Sequence, residues 1–250
     1  MTKTIAQQLK EKNEALQGLT KQPTQIALSL KAAAEPHFKE IRQNKDGLYS
    51  EEGLVKQLEK AQKDYAHELY KNVRELKSQY IKGVNEGREL AKRTLVEPMK
   101  RPEHIGVYDA KLFEMDLDKL KVSLAFSKDG AAVASKLQDF LAKYNEPYHA
   151  DAVFREFTNL TSLALANGDS QSRLALSRVY EQISEKALSE DKRMAQDFLE
   201  GYKDAESYVF FKEYSPAYQS ALALLGGDNV KYINDPDSYF TEQESGETTE

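Results

Sequence analysis

Apolar and small residues recur at Tyr65, Leu69, Val73, Leu76, Tyr80, Val84, Gly87, Ala91 and Leu95, in steps of 4, 4, 3, 4, 4, 3, 4 and 4. This is an 11-residue period of about 3.67 residues per turn, which keeps a stripe nearly straight along a helix. Charged residues such as Lys63, Glu68, Lys71, Glu75, Lys82 and Lys92 fill the intervals, and no proline occurs between Ser50 and Glu97. The pattern predicts one amphipathic helix over 50–97, with Ser50 as its N-cap and Glu51 and Glu52 in its first turn. Such a helix is about 70 Å long at 1.5 Å per residue and needs a partner surface along much of that length. Tyr65, Leu69, Val73, Leu76, Tyr80, Val84 and Leu95 are therefore predicted to form a protein-interface seam.

Thinner stripes lie upstream, at Ile5, Leu9, Leu16 and Leu19, then at Ile26, Leu30, Ala33, Phe38 and Ile41. Gly18 and Pro23 are expected to end the first helix and Pro36 to break or kink the second. Residues 1–97 thus read as an elongated helical arm, either a hairpin or three helices. Pro98 and Pro102 forbid its continuation and open a basic elbow and linker over 98–128. Within it "VYDAKLFEMDLDKLKVSLAFSKDG" reads as one short helix or as partly extended chain. Over 129–226 the apolar positions become denser, with Asp169, Ser189 and Ser215-Pro216 as helix openers and Asn167-Gly168 suited to a left-handed cap. That stretch predicts a compact helical bundle. Residues 227–250 lose periodicity and are expected to form an acidic, partly disordered tail. The predicted fold class is all-α: a long-helix arm, a compact bundle and a flexible acidic C-terminus.

Composition agrees with helix: of 250 residues, 40% are hydrophobic and 30% charged, with few turn-formers (Gly 12, Pro 7). Cys 0 removes disulfides, thiolate metal sites and cysteine nucleophiles. The start "MTKTIAQQLK" lacks an apolar targeting core and no stretch approaches the roughly 20 apolar residues of a membrane span. A soluble, cytoplasmically made protein without membrane contact is expected.

The net charge of -6 is unevenly spread. Residues 71–101 hold 9 basic and 4 acidic side chains, whereas 181–250 hold 6 basic and 16 acidic. The basic stretch offers Arg88, Lys92, Arg93, Lys100 and Arg101 as candidate contacts for a polyanion such as nucleic acid. In the acidic region nine aromatic residues lie between Tyr202 and Phe240. Nucleic-acid stacking is disfavoured there by charge, and Tyr239 with Phe240 is the predicted C-terminal interface anchor because little chain remains to bury it.

Chemistry is sparse. The four histidines, His37, His67, His104 and His149, never fall at metal-ligand spacing, and no phosphate loop or nucleophile motif occurs. "DPDSYFTEQESG" gathers Asp235, Asp237, Glu242 and Glu244 but lacks the central glycine of a calcium loop. No catalytic residue, metal, cofactor or small-molecule substrate is predicted. In its long charged helix "SEEGLVKQLEKAQKDYAHELY" and its polar end "TEQESGETTE" the chain resembles the helical scaffolding, minor head and connector-associated proteins of tailed bacteriophages. That resemblance implies self-association or docking on a larger particle, with incorporation into a virion. Scaffolding proteins commonly end in a basic helix, whereas this chain ends acidic, which favours a structural or adaptor role. The leading expectation is a non-catalytic assembly protein. The alternatives are a nucleic-acid-associated helical protein using the 71–101 face, and an enzyme or inhibitor with a site assembled from distant residues.

Overall fold

The structure is a computed structural model and describes residues 3–43, 47 and 49–246, with side chains through Gln243. It is all-helical, with no strand among the described residues. The helices are α1 (Ile5–Gln43), α2 (Glu51–Val96), α3 (Val107–Leu124), α4 (Gly130–Lys143), α5 (Pro147–Asn167), α6 (Ser170–Lys186), α7 (Glu190–Gly201), α8 (Pro216–Leu225) and α9 (Pro236–Gly246). They build two compact units, each discontinuous in sequence: Gln7–Glu89 with Phe198–Glu250, and Met1–Ala6 with Leu90–Asp197. The predicted blocks were consecutive, whereas here the last fifty residues join the long helices.

In the long-helix unit, α1 runs through both Pro23 and Pro36 as a single helix. This differs from the expected break because a helical proline removes one hydrogen bond without blocking the turns beyond it, and the row around it is continuous. Leu9, Leu16, Pro23, Ala27, Leu30, Ala34 and Phe38 are all buried. They follow heptad-like steps of three, four or seven, with Pro23 itself serving as an apolar member of the row. Ala34 rather than Ala33 faces inward. α1 and α2 run antiparallel, as three levels of contact show. Lys12 pairs with Glu86 at 2.8 Å, Leu16 lies against Gly83, and Phe38 meets Tyr65 edge-on at 5.5 Å.

α2 matches its predicted span, and the Gly53 N–H donates to the Ser50 hydroxyl at 3.2 Å. The C-terminal segment covers another side of it. Tyr80 packs on Tyr208 and Phe210 at 5.3 and 5.4 Å, and Tyr70 packs on Tyr239 at 4.6 Å. Asn234 clips this segment to itself, accepting from the Phe211 N–H at 2.9 Å and donating to the Phe211 carbonyl at 2.8 Å. At Gly87 the Phe198 ring comes so close that any side chain would overlap it.

The bundle unit packs α4, α5 and α6 against one another and α3 against α5. Its core holds Phe113, Leu117, Val133, Leu137, Val153, Leu160, Leu176 and Ile183. Local signals set the helix starts. Asp129 accepts from the Ala131 N–H at 2.9 Å and Asp169 from the Ser172 N–H at 2.8 Å, while Pro147 takes the first turn of α5. Gly168 is not the left-handed cap predicted for it: its φ of -76° and ψ of 148° are extended. Glycine fits there for lack of space, since a Cβ would sit 2.9 Å from that of Ser172.

Candidate protein-contact surface

The structure places the predicted seam inside the chain's own packing. Leu69, Val73, Leu76, Tyr80 and Val84 are buried, and Tyr65 and Leu95 are half-buried. Through the long-helix unit, α1 and the aromatic C-terminal segment supply the partner surface. A seam that is filled by the same chain offers nothing to a second protein, which corrects its expected role. The upstream half of the cover was visible as stripes in the sequence. The other half comes from residues more than a hundred positions later and carried no signal of its target.

The C-terminal anchor is committed in the same way. α9 carries Tyr239 and Phe240 back onto α2, where His67 meets them at 5.9 and 5.3 Å. Arg74 lies over the Phe240 ring at 5.1 Å and bonds Asp237 at 2.7 Å. Of the expected acidic, partly disordered tail over 227–250, Pro236–Gly246 is helix, and residues 247–250 lie outside the described residues. Beside α9 is an open cleft of about 570 Å³ lined by Asp64, His67, Tyr70, Tyr232 and Tyr239. Two of its three phenols are engaged: Tyr70 donates to the Asn229 carbonyl and Tyr232 to Glu242. Burial pushes the Tyr70 hydroxyl up to about 12, so it keeps its proton at neutral pH.

The basic candidates divide. Arg88 turns onto the C-terminal segment, donating to the Lys203 carbonyl at 2.9 Å, to the Tyr202 carbonyl and to Glu206. The hydrogen bond and charge of Glu206 hold its guanidinium above its ordinary range, against a smaller cost of burial. Here a basic helix meets the acidic end of its own chain, which accounts for part of the charge asymmetry without a polyanion. Arg93 faces Glu97 at 3.7 Å and Arg101 bonds the Ile105 carbonyl. Lys92 and Lys100 are exposed.

Where α2 stops, Pro98 leaves carbonyls without helical donors, and α5 supplies them. Arg155 donates to the Val96 and Glu97 carbonyls at 2.9 and 2.6 Å. Asp151 accepts from the Met99 N–H and from Arg155, each at 3.0 Å, and from Lys192 of α7. Burial pushes the Asp151 carboxyl up, but Lys192, the Met99 N–H and Arg155 outweigh it and hold it below the usual range. The elbow is thus a buried ionic clasp, built from residues that the sequence did not single out.

Among the described residues, α3 carries an exposed apolar row that was not predicted. α3 is apolar on two opposite sides. Ala110, Phe113, Leu117, Leu120 and Leu124 face the bundle core. Tyr108, Leu112, Met115, Val122 and Phe126 form a second row, exposed by 86%, 52%, 57%, 63% and 82%. With Lys119 their spacing is 4, 3, 4, 3 and 4, the step of a coiled-coil seam. No family model, curated protein or solved structure matches this chain. Function has to be read from such surfaces. Among the described residues no helix is long and apolar enough to cross a membrane, and no group of three or more His, Asp or Glu side chains is placed to hold a metal ion. Tyr108, Leu112, Met115 and Val122 of α3, with Phe126 just beyond its end, are each more than half exposed.

Proposed function

We propose that the protein is a non-catalytic structural or adaptor component that works through protein–protein contacts, and that the outer side of α3 is its contact surface. The single observation supporting this reading is the unpartnered heptad row Tyr108, Leu112, Met115, Val122 and Phe126. Exposing four large apolar groups in register on one helix, with Phe126 just beyond its end, opposes solubility, and a row of this kind is the feature that helix-in-groove and coiled-coil contacts use. The commitment of Arg88 to the C-terminal segment removes one of the five cations on which the nucleic-acid alternative depends. Membership of a large assembly such as a phage particle is the wider form of the same proposal. It is supported by the long charged helices and by the absence from the sequence of any motif for catalysis.

A photo-crosslinking residue at Leu112, introduced in cells that make the protein, tests the reading. It is expected to yield a protein adduct that disappears when Met115→Glu is added. If no protein of any kind crosslinks there, while the same probe reacts with free apolar peptide in vitro, the reading fails.

A further inference from the structure

We infer that His149 is an acid-operated release for the first two turns of α3: when its ring takes up a proton, Val107 to Phe113 leave the bundle while the rest of α3 stays in place. The inference concerns how α3 is held and does not depend on what its outer row meets. His149 is buried, and among the described residues it alone has buried side-chain nitrogens without a hydrogen-bond partner. Its ring sits where three elements meet, 4.5 Å from Phe113 of α3, 5.3 Å from Tyr144 at the end of α4 and 5.3 Å from Tyr148 of its own helix. Neutral, the imidazole is an aromatic packing group. Protonated, it brings a charge and two N–H donors into a place with no acceptor. Facing rings offer a cation about 0.5–2 kcal/mol, whereas a buried charge left unpaired costs several kcal/mol. Position adds to the cost, because His149 lies in the first turn of α5, where the helix dipole opposes a cation.

The neighbouring acids are committed elsewhere. On α3, Asp116 accepts from Lys143 at 2.6 Å, from the Tyr144 hydroxyl at 2.7 Å and from Lys119 at 3.1 Å, and these donors hold it far below the usual carboxylate range. At the start of α5, Glu146 faces His104 of the elbow at 3.6 Å, and its pull on His149 is outweighed by burial. Asp151 belongs to the clasp with Lys192 and Arg155. Asp116 therefore keeps its charge and its bonds in mild acid and serves as the pivot. What yields is the helix start ahead of it. α5 is gripped by α4, α6 and the clasp, whereas α3 begins at Gly106 without a side-chain cap, and Val107, Tyr108 and Leu112 are more than half exposed. Lifting that start carries Phe113 off the His149 ring and lets water reach it. The opened ring protonates near pH 6.5 and the packed ring resists, so the opening equilibrium rises as pH falls below about 6.5, by as much as about tenfold per pH unit.

Because the chain has no cysteine, a thiol placed at the buried Ala110 reports the opening directly. In the full-length chain the Ala110→Cys thiol is expected to react with dithiodipyridine several-fold faster at about pH 5.5 than at about pH 7.5. Its rate is taken relative to an exposed Leu112→Cys thiol, which cancels the pH dependence of the reagent itself. Adding His149→Leu, or His149→Phe should leucine impair folding, is expected to remove the acceleration, and His104→Asn to leave it. A Val179→Cys thiol, buried in α6, should show none. A relative rate at Ala110→Cys that does not change with pH, an acceleration that survives loss of the His149 ring, or one that vanishes with His104→Asn would overturn the inference. An equal acceleration at Val179→Cys would overturn it as well, since the whole unit would then be opening.

Discussion

Asp151 has three donors and almost no water. Its Lys192 partner is buried as well, so removing the carboxylate strands a cation in the interior rather than merely deleting a contact. Asp151→Ala is expected to cost about 3–5 kcal/mol in urea denaturation, and Asp151→Leu combined with Lys192→Met to recover only the part due to the stranded ammonium, because the Met99 N–H and Arg155 still lose their acceptor. A near-neutral single variant would mean that the clasp is solvated. His149 makes a second residue-level case. Its ring lies 4.5 Å from that of Phe113 and 5.3 Å from those of Tyr144 and Tyr148, and neither nitrogen has a hydrogen-bond partner. Burial lowers its tendency to protonate, with Glu146 opposing weakly. The folded state therefore resists a proton that the unfolded chain accepts near pH 6.5, so the unfolded state binds more protons below that pH and stability falls as pH drops. The urea midpoint of the native chain should decline as pH falls below about 6.5, and His149→Leu should flatten that decline. Neither residue was marked in the sequence: "HADAVFRE" shows an i,i+4 acid–base pair, but nothing local reveals that Met99 and Lys192 complete it.

At the level of elements, what was legible is what is local. The 11-residue row of α2 and the caps at Ser50, Asp169, Ser189 and Ser215 each depend on neighbours within a turn or two, and each forms as read. The reading failed where a breaker competed with a row. Pro23 and Pro36 were weighed as stops, yet buried positions continue on both sides of them. Pro36 is exposed in mid-helix, where it removes a backbone hydrogen bond without contributing burial. Pro36→Ala is expected to raise stability by about 1–2 kcal/mol, the recovered helix term less the added entropy of the unfolded chain. Thermal unfolding followed by circular dichroism would register the gain, and a loss would show that Pro36 sets a kink the unit requires. α3 was ambiguous for the opposite reason: two apolar rows on opposite sides blur the single-stripe pattern by which a surface helix is recognised.

At the level of the whole chain, Gln7–Glu89 and Phe198–Glu250 belong to one unit, and Met1–Ala6 and Leu90–Asp197 to another. Composition showed the charge asymmetry but not its resolution, since the Arg88–Glu206 and Arg74–Asp237 pairs join positions more than a hundred residues apart. Removing everything after Asp197 should therefore do more than shorten the protein. Tyr70, Tyr80 and the row between them would lose Tyr208, Phe210 and Tyr239. The truncated chain is expected to bind a hydrophobic dye strongly and to aggregate at concentrations where the intact chain stays clear. Equal solubility of the two would mean that α1 alone suffices as cover. The same discontinuity bears on how the protein is made. At about 5–20 residues per second, roughly 7–30 s separate the synthesis of the end of α2 from that of Tyr239. During that interval the nascent hairpin leaves the ribosome with one side bare, and the lysines and glutamates spaced between its apolar positions are what keep it in solution until its own C-terminus arrives.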